Sequence, residues 1–241
     1  MIRTISREIL IISFFLLLVG TLGAWAIAWK LNGEKEDAEF LKILGTIAVF
    51  IFCVQVTIFF YMKKRIFLQL IFLSICGLSL VWFMLALVFP ILWVDILGVK
   101  TKLVLYSILI VLSICNVFEA FRRFNEKWTG LDQVVRVKKL ERNGDTINWD
   151  KLSIFMDLSG NLYIPGLSRS VSMIISVLLV ISMILGFILK TTFPVFSAIA
   201  WGVPSILMVS VLFQMIGYNL AQACRVRILE KEHGVFFRQK T

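Results

Sequence analysis

Long apolar runs alternate with short charged segments along the whole chain, and that alternation predicts its elements. A crossing of a ~30 Å hydrocarbon core needs about 20 mostly apolar residues. Six stretches qualify, at 8–30, 40–62, 66–89, 103–121, 170–190 and 196–223. Pro90 follows the third, and the short piece 91–99, with Trp93 and Asp95, reads as an interfacial segment. One charged stretch, 122–169, is too polar for a bilayer and separates four spans from two.

Inside that stretch the period changes. Val135 and Val137 alternate with Arg136 and Lys138, the pattern of a strand with one face buried. Asn143-Gly144 is a two-residue hairpin signal, because both positions of such a turn favour φ > 0. Ile147 and Trp149 share a face of the next run, while Leu152, Ile154 and Met156 continue in opposite parity. The switch predicts a bend or bulge at Asp150-Lys151. Ser159-Gly160-Asn161 is a further turn, Leu162–Ile164 a third strand, and Pro165-Gly166 its stop. Three short strands are marginal alone in water. The island therefore needs a surface: the inner ends of the helices, a sister subunit or a cytosolic protein.

The expected fold is an all-α polytopic membrane protein of six transmembrane helices, with a small cytoplasmic β-hairpin or meander between helices 4 and 5. Its parts are a four-helix region (1–121), the β-rich module (122–169), a two-helix hairpin (170–223) and a basic tail (224–241). Composition agrees, with 59% hydrophobic and 17% charged residues against roughly half and a quarter in soluble domains. The first apolar run exceeds a signal-peptide core of about 7–15 residues and lacks a small-residue cleavage site, so it is expected to stay as a span.

The net charge of +10 gains meaning from its distribution. With both termini inside, 19 of the 25 Lys/Arg fall in cytoplasmic segments and 6 in outer loops. This is the positive-inside bias, and it places the chain in the plasma (inner) membrane with cytoplasmic ends. Trp25, Trp29, Trp93 and Trp201 fall near the outer boundary, where indoles prefer to sit. Helix-end charge of this kind needs no nucleic-acid partner.

Candidate chemistry is sparse. The one histidine, His233, lies in the tail, which leaves no ordinary Ser-His-Asp triad and no paired-histidine zinc site. Phosphate-binding and dinucleotide-binding glycine loops are absent. Neither an enzymatic role nor a cofactor is expected. Cys53, Cys76, Cys115 and Cys224 lie in or at the ends of apolar runs and read as buried thiols. Small residues at packing intervals, Ser172 with Ser176, Ser182 with Gly186 and Ala198 with Gly202, allow close helix approach, and Pro204 predicts a kink.

Two sets of residues remain as candidates. Trp149, Phe155 and Tyr163, with Arg136 and Lys138, would give the module a basic, aromatic docking face. Gln214, Tyr218 and Gln222 recur every four residues and form one stripe, and Asn116 shares a face with Glu119. These could line a vestibule, or they could bond helix to helix. The expected partners are the lipid bilayer, further copies or subunits of a membrane complex, and a cytosolic protein.

The run Ile147-Asn148-Trp149-Asp150-Lys151-Leu152, with Leu162-Tyr163-Ile164-Pro165, resembles the β core of YcxB-type bacterial membrane proteins. That resemblance covers 134–165 and implies a pleckstrin-homology-like cytoplasmic module beside transmembrane helices, with no catalytic residue.

Overall fold

The computed structural model describes residues 2–32, 37–62, 65–86, 88–89, 98–131, 144–156, 169–189 and 192–239. The apolar runs form helices α1 (Ile2–Asn32), α2 (Asp37–Tyr61), α3 (Ile66–Leu85), α4 (Val99–Thr129), α6 (Arg169–Ile188) and α7 (Pro194–His233). A short helix α5 (Trp149–Met156) and two-residue strands β1 (Thr146–Ile147) and β2 (Arg238–Gln239) complete the described elements. Segments of α1, α2, α3, α4 and α7 are each long and apolar enough to cross a membrane. In α6 the apolar stretch among the described residues is the shorter Val177–Gly186.

α7 is the hub, packed on α3, α4 and α6, while α1, α2 and α3 pack on one another. Hydrogen bonds between apolar helices tie the second group together. Gln55 Nε2 donates to Ile75 O (3.1 Å) and Ser79 Oγ (2.7 Å), and Trp82 Nε1 donates to Thr21 Oγ1 at 3.0 Å. A buried amide or indole away from water must find such a partner, which fixes helix rotation. Between α6 and α7, Ser182 Oγ donates to Ala200 O at 3.4 Å. α7 continues through Pro204.

Two helices run further than their apolar stretches suggest. α4 has 31 residues and α7 has 40, or ~46 Å and ~60 Å at 1.5 Å per residue, against a core of ~30 Å. The segments 122–129 and 224–233, expected as module and tail, are therefore helical stalks. In α4 the cause is a stripe at i, i+4 spacing, Asn116, Ala120, Phe124 and Trp128, all buried. In α7 the left-handed Gly234 (φ +66°) ends the helix, a conformation glycine adopts at low cost.

The island departs from the expected meander. Residues 149–156 are helix, not strand: Trp149, Leu152 and Met156 are buried at i, i+3 and i+7, and Ile154 is exposed. Asn148 Oδ1 accepts the Lys151 N–H at 3.1 Å, a helix N-cap that outweighs the alternating pattern. β1 pairs in parallel with β2, Thr146 beside Arg238, a partner the expected meander did not include. Gly144 has the turn geometry expected of it (φ +63°). The expected strands at 134–138 and 162–164 and the segment 91–97 lie outside the described residues. Of the four cysteines only Cys76 is buried; Cys53, Cys115 and Cys224 face outward from their helices.

Among the described glycines, the tightest approach falls at a position the small-residue pairs did not indicate. A Cβ added at Gly217 would lie 2.8 Å from Ala120 Cβ and 3.2 Å from Val117 Cα. Gly217→Ala should therefore push α4 from α7 and destabilise the protein by about 1–3 kcal/mol. Gly45→Ala, with nothing within 4 Å, serves as the control. Unfolding in detergent followed by helical circular dichroism checks this, and equal stability of both variants would contradict the contact.

Candidate functional site

The stripe and its partners meet along the α4–α7 contact. Gln214 and Asn116 are each 0% exposed, and Gln214 Nε2 donates to Asn116 Oδ1. Asn116 Nδ2 in turn donates to Leu112 O at 2.7 Å. One turn nearer the stalks, Glu119 accepts Arg123 Nε at 2.7 Å and Arg122 Nη2 at 2.9 Å. Tyr218, also buried, lies beside the Arg123 guanidinium. Gln222, the last residue of the stripe, accepts Trp149 Nε1 at 2.9 Å. The structure thus brings together all five residues read as a vestibule. Asn116, Gln214, Tyr218 and Gln222 are buried in this interhelical seam, and Glu119 lies at its partly exposed edge beside Arg122.

Trp149 belongs to this seam, not to a displayed face. It is 1% exposed and stacks on Trp128, centroids 6.0 Å apart and planes 23° apart. Trp128 stacks in turn on Phe124 at 6.1 Å, and the Arg225 guanidinium lies 4.7 Å from the Trp128 ring centroid. The Trp149 backbone N–H donates to Gln239 Oε1 at 3.2 Å, and Gln239 Nε2 donates to Asp150 Oδ2 at 3.1 Å. Desolvation holds the Asp150 carboxyl above the ordinary aspartate range. Lys127 Nζ donates to Met156 O, satisfying a carbonyl at the end of α5 with a cation where the helix dipole favours one.

Of the other docking candidates, Phe155 lies in α5 with its side chain outside the described residues, as are Tyr163, Arg136 and Lys138. His233, at the end of α7, packs edge-on against Phe237. Among the described residues no group of three His, Cys, Asp or Glu could hold a metal ion. A groove of about 410 Å³ between α3, α4 and α7 is apolar apart from Ser113, and no stripe residue lines it. Sequence reasoning missed Trp128 and Gln239. Trp128 was legible in the spacing from Asn116, whereas Gln239 lies ninety residues from Trp149 and carried no signal.

Five described helices long and apolar enough to cross a membrane define a multi-pass helical bundle, here with a short element seated on one end. No family model matches the chain, and no curated protein or solved structure matches it.

The seam predicts energetic coupling. In a double-mutant cycle, Asn116→Leu and Gln214→Leu should each cost stability, with a coupling of ~0.6–1.7 kcal/mol between them. Additive effects on unfolding in detergent would mean that the two amides do not act as a pair.

Proposed function

We propose that the chain is a non-enzymatic integral membrane subunit, a scaffold or sensor with six crossings and both termini in the cytoplasm. The positive-inside bias supports that orientation, and α6 supplies the crossing beyond the five. The 144–156 element forms a cytoplasmic cap, and a sister subunit or soluble partner docks on it at the inner leaflet. The observation that carries this reading is the seat of the cap, with Trp149 stacked on Trp128 of α4 and bonded to Gln222 of α7. A module fastened to two stalks is a fixed platform. Its outward face presents Ile154, 77% exposed beyond the apolar part of the bundle, a side chain that a partner would cover. Conduction along Gln214, Tyr218 and Gln222 would instead require the helices to part, since all three are buried.

Native mass measurement in mild detergent tests the reading. The expected result is a mass above one chain, from a second copy or a companion, that falls to one chain in Ile154→Glu at unchanged thermal stability. A wild type that is a bare single chain overturns it. Flux across reconstituted vesicles that is lost in Gln214→Leu would favour an oligomeric channel, pore or small transporter.

A further inference from the structure

Arg65 stands immediately before the first residue of α3, a helix long and apolar enough to cross a membrane. Its backbone is held twice: its N–H donates to Met62 O at 2.8 Å, and it bridges Arg238. Its guanidinium lies over the Phe236 ring, Cζ 4.1 Å from the centroid. Arg227 approaches the same ring at 5.7 Å and Phe67 at 5.7 Å. Phe236 is 49% exposed although it is large and apolar.

This display is built by its neighbours. Gly234 turns the chain back after α7, and the buried Glu230 accepts the Phe237 N–H at 3.2 Å and Arg227 Nη1 at 3.0 Å. Phe237 O accepts the Ile66 N–H at 3.1 Å, and the Phe237 side chain is buried. With Phe237 fixed inward, Phe236 is turned outward between two guanidinium groups. Among the described residues no carboxylate pairs with Arg65, whereas Arg227 shares its charge with Glu230 and Arg122 is neutralised by Glu119 and Glu126.

We propose that Arg65, Arg227 and Phe236 form a headgroup site for an anionic phospholipid of the adjacent leaflet. Guanidinium forks match phosphate oxygens, and a ring at the interface anchors against the acyl boundary. A quaternary-ammonium headgroup is disfavoured, because cations already lie against the ring. The site rests on the reading that this end of the bundle meets a leaflet surface.

Purified full-length protein in mild detergent, titrated with phosphatidylglycerol, phosphatidylcholine or inorganic phosphate and read by native mass, tests the site. Wild type should bind phosphatidylglycerol at least tenfold tighter than phosphatidylcholine. The R65Q/R227Q variant should lose roughly ten- to thirty-fold of that affinity, and Arg122→Gln should keep it. If the double variant unfolds, Arg65→Gln alone decides, with an expected loss of roughly three- to ten-fold. Equal binding of the two lipids, an unchanged variant, or inorganic phosphate competing as well as the lipid overturns the proposal. The readout does not depend on copy number or a companion, so its failure leaves the platform reading standing.

Discussion

A buried tryptophan with a polar N–H sets the terms for one end of this protein. Trp149 brings large apolar area to the cap, and its indole nitrogen must keep a hydrogen-bond partner once water is excluded. Gln222 supplies that partner and Trp128 supplies the stacking surface. Both lie on helices, so α4 and α7 must run on, packed together, far enough to reach it. The last strand closes the arrangement from the other side, where Gln239 bonds the Trp149 backbone. Without that seat, eight residues of helix and two of strand would have too little core to persist alone.

The same physics runs down into the bundle. Each amide on the Gln214–Gln222 stripe sits where water is scarce, and an unpaired one would cost several kcal/mol. The inexpensive solution is for polar residues of adjacent helices to face one another, and Asn116 and Gln214 do so. Gln55 with Ser79, and Trp82 with Thr21, repeat the device among α1, α2 and α3. Polar residues here specify which helices pack and in what rotation. The Gly217–Ala120 contact then sets how closely α4 and α7 approach.

The helices were legible because length and hydropathy are properties of a single run, and the stripe was legible because its spacing is local. The cap was misread for the same reason that made the stripe easy. Leu152, Ile154 and Met156 alternate, yet Trp149, Leu152 and Met156 also repeat at helical spacing, and short runs fit both periods. The Asn148 cap decides between them, and it counts only once the helix it starts is considered. Pairing of β1 with the distant β2 had no local signature at all. Burial of Trp149 was hidden too, since nothing in its own neighbourhood reveals the ring of Trp128 above it.

Backbone hydrogen exchange in detergent tests the seat of the cap most directly. The amides of 149–156 should be protected together with the ends of α4 and α7 and with 237–239, and Trp149→Ala should release them as a group. Rapid exchange of 149–156 in the wild type, with the stalks still protected, would mean that the cap is not held where this account places it.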